Sequence, residues 1–468
     1  MLDLKPYPTM KDSGVRWLGE VPAGWDLRRN GRLFAERKET GFPDLPILEV
    51  SLKTGVRVRD FGLSERKQVM ADREKYKRAA SGDIAYNMMR MWQGAVGVAP
   101  TDGLVSPAYV VAQPLPGTVP GYFAYLYRTS AYMGEVNNYS HGIVADRNRL
   151  YWDEFKQIPT PYPPLDEQSA IVRFLDHADG CIRRYIRAKQ KLIKLLEEQK
   201  RVIIHRAVTR GLDPKVRLKP SGVEWLGDVP EHWEVLPIKR AFVSMDYGIS
   251  ESATDEGTIR LLTMGNIKDG RVTIPETGGV TAVDPSLLIV AGDLLFNRTN
   301  SSELVGKVGL FRGANSAVTF ASYLVRLRPP PEQEPEYLNL VLNDVSVLSI
   351  ARREAIPSLH QSNLNPTRYG RLQISLPSIS EQRAILQYLT AATSDLEKTV
   401  AAAHREVDLL REYRTRLIAD AVTGKLDVRE AAANLPAETE DSELPLAASE
   451  LEEEPDVDLL DGYAELEE

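Results

Sequence analysis

Cysteine is nearly missing from this 468-residue chain, where Cys181 is the single one. One thiol excludes an intrachain disulfide and any zinc cluster built on cysteines. Histidine is scarce as well. Its six copies (141, 177, 205, 232, 360, 404) are dispersed, with no HExxH and no Cys/His spacing, so no metal ligand is assigned. No stretch approaches the roughly 20 apolar residues of a membrane span. The opening MLDLKPYPTMKDSG has neither an apolar run nor a cleavage-site pattern, so a cytoplasmic location is expected. There is no GxxxxGK[ST] phosphate loop: Gly306-Lys307 and Gly424-Lys425 lack both the upstream glycine and the Ser/Thr. The nucleophile elbow GxSxG is absent too. An adenine methyltransferase is expected to carry an Asn/Asp-Pro-Pro-aromatic motif, and Asn365-Pro366-Thr367-Arg368 fails its last two positions. With no catalytic constellation, the sequence predicts a chain that binds rather than reacts.

What is present is a long repeat. KDSGVRWLGEVPAGW (11–25) returns as KPSGVEWLGDVPEHW (219–233), identical at ten of fifteen positions. PPLDEQSAIVRFL (163–175) is answered by PSISEQRAILQYL (377–389), and AVTRGLD (207–213) by AVTGKLD (421–427). A unit of about 210 residues written twice is too long for a solenoid repeat, whose period is about 20 to 50 residues. It reads as tandem duplication of a domain plus a helix. The stretches between matching blocks are nearly unrelated, so a constant frame holds two different inserts. That is the arrangement expected of something that reads two different things.

Net charge is −8, but the sign is misleading. Residues 434–468 hold 14 acidic side chains and no Lys or Arg, which leaves 58 basic against 66 − 14 = 52 acidic groups in the body, or +6. Residues 182–206 carry nine Lys/Arg against Glu197 and Glu198 only. A basic body leaves room for a polyanionic partner. The tail from 431 onward is acidic, contains Pro436, Pro445 and Pro455, and reads as disordered.

Each half is expected to run from a turn into a strand that buries its tryptophans, then through short β-branched runs. Asp269-Gly270 signals a hairpin turn, and Thr54-Gly55 holds the matching place. Helices are expected near 121–136 and 335–353. Heptad spacing then appears at Ile182, Ile186, Lys189, Ile193, Leu196, Lys200, Ile203 and Ala207. Adding 214 gives Leu396, Val400, Ala403, Val407, Leu410, Arg414, Leu417 and Ala421 at the same register. Such a narrow stripe with charged flanks predicts that the two helices pair as a coiled coil. Antiparallel pairing relates the two halves by a pseudo-two-fold axis and brings residue 425 near residue 11. A helix from 182 to 208 is roughly 40 Å long, close to the 34–36 Å turn of B-DNA that spaces two-fold readers. The expected organisation is a globular part at 1–162, a helical spacer at 163–213, a second globular part at 214–376, a second spacer at 377–430, and the tail.

Candidate recognition residues lie inside the divergent inserts, at matching places. After GDLLF come Asn297, Arg298 and Asn300, with side chains suited to base edges. The equivalent loop of the first half offers Asn87, Arg90 and Gln93 beside a Met/Trp cluster that either wedges between base steps or anchors the loop. Lys53, Arg57 and Arg59 decorate the first hairpin of one half, and Asn266, Lys268 and Arg271 that of the other. Later polar loops contribute His141, Arg147 and Asn148, and His360, Gln361 and Asn363.

These motifs (WLGEVPAGW and WLGDVPEHW, GDIAYN and GDLLFN, PPLDEQSAIVRFLD and PSISEQRAILQYLT, AVTRGLD and AVTGKLD) resemble, in order over residues 11–430, the DNA-specificity subunit of type I restriction-modification enzymes. The resemblance implies an α+β fold with two tandem target-recognition domains, each reading half of a bipartite DNA site. It implies a helical pair that sets the spacer. It also implies two copies of an adenine-N6 methyltransferase subunit as partners, and restriction subunits through the complex. S-adenosylmethionine, ATP and Mg then belong to the partner subunits. The tail has no counterpart in this pattern. The alternative is a non-catalytic coiled-coil scaffold joining two protein-binding domains, and salt-dependent DNA binding separates the two.

Overall fold

The computed structural model describes residues 4–59, 73–142, 148–358 and 361–436. It divides into two compact units, one of residues 1–188 with 406–468 and one of residues 189–405. Each unit therefore combines a globular part with a stretch of both long helices.

The first unit is built on a four-stranded antiparallel sheet in the order Phe34–Arg37, Tyr109–Pro114, Ile84–Asn87, Val96–Val98. The second unit repeats that order with Ser244–Tyr247, Leu324–Arg328, Leu294–Asn297, Val308–Leu310. It then extends the sheet with the hairpin Ile267–Lys268 and Arg271–Val272. The expected turn is there: Asp269 and Gly270 both take positive φ (47° and 73°), the backbone of a two-residue hairpin turn. The strands written GDIAYN and GDLLFN are internal in both sheets, which is why Ile84, Ala85 and Tyr86, and Leu294, Leu295 and Phe296, are apolar and buried. Their leading aspartates are buried and held alike. Asp83 accepts from Ala80 N at 2.9 Å and Arg37 Nε at 2.6 Å, and Asp293 from Val290 N at 2.9 Å and Arg328 Nη2 at 2.7 Å. The same carboxylates raise the basicity of both guanidinium groups.

Two helices, not one, follow each sheet: Pro120–Tyr127 and Ser130–Tyr139, then Pro335–Leu342 and Val345–Arg353. The single helices expected from the sequence break where a side chain caps a new start. Thr129 accepts from Tyr132 N, and Asp344 from Ser346 N.

The long helices run Leu165–Arg210 and Ile379–Val422, starting well before the first heptad positions at 182 and 396. The DEQ and SEQ blocks are thus their first turns. Glu167 accepts the indole N–H of Trp25 at 2.8 Å, and Glu381 that of Trp233 at 3.1 Å. Gln168 and Gln382 are fully buried. Each caps the helix that follows its sheet, accepting from Val119 N and Glu334 N at 2.9 Å, and each donates back to the proline carbonyl before its own helix. Only the second tryptophan of each block is fully buried. Trp17 and Trp225 are half-buried, and Trp17 sits edge-on to Tyr132 at 5.4 Å.

All sixteen seam positions are buried or half-buried, among them Ile182, Ile186, Ile193, Leu196, Ile203, Leu396, Val400, Val407, Leu410 and Leu417. In the first unit Asp179 pairs with Arg414, and Arg173 donates to the Ala432 carbonyl beyond the second helix. In the second unit Lys200 pairs with Glu397 at 2.6 Å, and Gly211 lies against Glu381. As one number rises the other falls, so the pairing is antiparallel within each unit. The charged seam residues Lys200 and Arg414 thereby meet carboxylates of the other helix. Antiparallel pairing also brings the ends of the repeat together in the first unit. Asp427 N donates to Lys5 O at 2.8 Å, and Gly424 packs on Pro22 and Trp25.

Candidate nucleic-acid interface

In the first unit, the loop after Ile84–Asn87 is fixed from inside. Asn87 Oδ1 accepts from Met89 N at 2.9 Å, and Trp92 Nε1 donates to the Met89 carbonyl at 3.0 Å. Met91 is fully buried, while Met88 and Trp92 pack on the core. The apolar cluster therefore anchors this loop instead of standing ready as a wedge. Gln93 is exposed, Arg90 half-buried.

The first hairpin, Leu48–Ser51 with Gly55–Val58, carries Lys53 at its exposed turn. Arg128 secures that turn by donating to the carbonyls of Leu52 (2.6 Å) and Lys53 (2.7 Å). Arg57 and Arg59 share Glu49, at 2.5 and 3.9 Å, so their charge is partly offset at rest. Farther along, His141 and Arg149 bridge two backbone segments, and Asn148 donates to Asn137 at 3.1 Å. Arg147 lies outside the described residues, as does His360 of the other half.

In the second unit, Lys268 and Arg271 face solvent on either side of the hairpin turn. Asn266 is committed locally: its Oδ1 accepts from Thr263 N and Oγ1 in a reciprocal cap. Asn297 is a correction to the sequence reading. It closes the strand Leu294–Asn297, opposite Leu324, and is 1% exposed, so its side chain is not on the surface. Arg298 is half-buried and fixed on several sides, while Gln361 and Asn363 are exposed. Asn300 accepts from Ser301 N at 2.8 Å. The short strands Thr299–Asn300, Ser362–Asn363 and Ile356–Pro357 form a small sheet that joins the two loops singled out from sequence. That pairing joins Thr299 to Asn363 and Asn300 to Ser362 and had no signal in either loop alone.

Among the described residues, no group of His, Cys, Asp and Glu is arranged to hold a metal ion, and no helix is long and apolar enough to cross a membrane. The arrangement offers exposed Lys, Arg, amide and tyrosine side chains on short loops braced by a sheet. Such groups bind phosphates and base edges.

No protein-family profile matches the chain. Curated relatives do. The chain is 26% identical over 195 residues to a protein described as the MjaX type I restriction enzyme specificity subunit of Methanocaldococcus jannaschii, covering 40% of this chain and 45% of that protein. It is 21% identical over 285 residues to the MjaVIII specificity subunit of the same organism (59% and 64%), and 22% identical over 214 residues to the StySPI specificity subunit of Salmonella potsdam (43% and 44%). The matches thus span less than two thirds of each relative. Among solved structures, a chain from work on assembly and conformational transition of the type I restriction-modification system superposes with a TM-score of 0.64 at 15% identity, over 87% of this chain and 99% of that one. The chain resembles type I specificity subunits in sequence and shares the fold of that neighbour.

Proposed function

We propose that this chain is the sequence-specific DNA-binding specificity subunit of a type I restriction-modification complex. Residues 1–162 and 214–376 are its target-recognition domains, each reading one half of a bipartite, asymmetric site. Residues 163–213 and 377–430 form the helical pair that sets the spacer. The carrying observation is the duplication: one four-strand order and one Trp–Glu clasp recur in both units, while the exposed loops around them differ. A frame kept constant around changed loops supports two readers of unlike sequence. The relatives' names support the same reading.

Exposed Lys53, Arg57, Lys268 and Arg271 supply phosphate contacts, which carry most of the affinity and its salt dependence. Gln93, His141, Gln361 and Asn363 face the bases. The chain performs no covalent step. It directs adenine-N6 methylation by two bound methyltransferase subunits, and restriction by subunits that join through the complex. S-adenosylmethionine, ATP and Mg bind those partners.

The test is co-expression with the methyltransferase subunit, followed by genome-wide mapping of N6-methyladenine by single-molecule sequencing. One bipartite motif with a fixed spacer is expected. Replacing 26–160 by another such domain changes one half-site only, and equal insertions in both helices change the spacer. Methylation that is unaltered when this chain is omitted overturns the proposal.

A further inference from the structure

Arg298, in the loop after Leu294–Asn297, is held on several sides. Its backbone N–H donates to Tyr323 O at 3.1 Å, and its carbonyl accepts from Leu364 N at 2.7 Å. Its guanidinium lies over the Tyr247 ring at 5.3 Å. Nη1 donates to Ser322 O at 3.2 Å, and Nη2 donates to Asn363 Oδ1 at 3.1 Å. Among the described residues its Nε is buried without a partner, as is Oδ1 of the adjacent Asn297. A planar fork held this way has little rotamer freedom left. Asn363, by contrast, is exposed, and Tyr247 and Tyr323 beside Arg298 are also exposed, at 49% and 46%.

The consequence falls on the Asn363 amide. A carboxamide is free to flip, presenting either its oxygen or its NH2 outward. Here the oxygen is tied to Arg298, and among the described residues the NH2 group has no partner. The orientation is thereby set by a guanidinium that offers donors and no acceptor.

We propose that Arg298 and Asn363 form a reading pair: Arg298 is a positioning residue that locks the amide, and Asn363 presents its NH2 as a donor to an acceptor edge in the major groove. Guanine O6/N7 and thymine O4 are such edges. An amide used in this way does not make the two-sided contact to adenine that needs a free oxygen. The pair rests on the DNA-reading role proposed above and names one position of the half-site read by the second unit.

The test is the methylation map of the complex carrying Asn363→Asp or Arg298→Ala. Aspartate keeps an acceptor for Arg298 but removes both donors. Preference at one base of one half-site is expected to move to a donor edge, cytosine N4 or adenine N6, by on the order of 10- to 100-fold. Arg298→Ala is expected to relax that same position, because the amide can then turn. If Asn363→Asp does not fold, as judged by its thermal melt, Asn363→Ala carries the test, with loss of preference at that one position expected. An unchanged motif, or an even loss at all sites in a folded variant, overturns the pair while the wild type still selects its target. Methylation that ignores the wild-type chain overturns the DNA-reading role and the pair together.

Discussion

The indole N–H of Trp25 meets the carboxylate of Glu167 at 2.8 Å, across 142 residues of sequence. The phenol of Tyr7 donates to the same oxygen, and burial against that carboxylate pushes its pKa well up. Trp25 lies 1% exposed and Glu167 6% exposed, so one acceptor satisfies two buried donors. The second unit repeats the relationship in weaker form. There Glu381 takes Trp233 and the exposed His232, in a more solvated place.

That difference predicts unequal costs. Each buried donor left unpaired costs about 1–3 kcal/mol. Glu167→Ala strands two and Glu381→Ala strands one. Thermal melting of the two variants should show the larger loss for Glu167→Ala, and equal losses would mean that the clasp is not what these residues supply.

Gly424 and Gly211 end the long helices at φ of +76° and +71°. Forcing a side chain into that region costs about 1–3 kcal/mol by itself. At Gly424 an added Cβ would also lie 2.3 Å from Pro22 Cδ, whereas at Gly211 the nearest atom is Glu381 Oε1 at 3.1 Å. Gly424→Ala is therefore expected to lower the melting temperature more than Gly211→Ala does.

Leu417 and Leu409 stand about two turns apart on the same helix. Leu417 is 5% exposed in the seam and Leu409 is 63% exposed outside it. Truncating Leu417 to Ala should cost about 2–5 kcal/mol, and truncating Leu409 about 0.5 kcal/mol or less. Denaturant titration separates the two, and a large cost at Leu409 would place the seam elsewhere.

Hydrogen bonding to Arg429 holds the Asp427 carboxyl below the ordinary aspartate value of 3.8. A depressed folded pKa contributes stability that is present above the unfolded value and is lost as pH falls through the folded one. Wild-type melting temperature should therefore drop in that acid window by more than that of Asp427→Asn. Parallel acid profiles would show that the pair contributes nothing.

The heptad spacing was legible in sequence. Heptad spacing and register depend only on 3.6-residue geometry, and every position proposed for it proved buried or half-buried. The roles of Glu167, Glu381, Gln168 and Gln382 were missed, although a signal existed. Their pairs survive in the repeat while the residues around them change. Asn297 was misplaced because a polar residue after an apolar strand looks like a loop, and only the ladder with Leu324 keeps it inside.

By itself, the sequence determined the duplication, the two frames and the pairing of the helices, because repetition and apolar periodicity are local and survive without coordinates. The tertiary structure alone decided which polar side chains are free to meet a partner. Exposure and hydrogen bonding are set by segments distant in sequence, as where Arg298 and Asn363, 65 residues apart, meet across a two-residue strand pair.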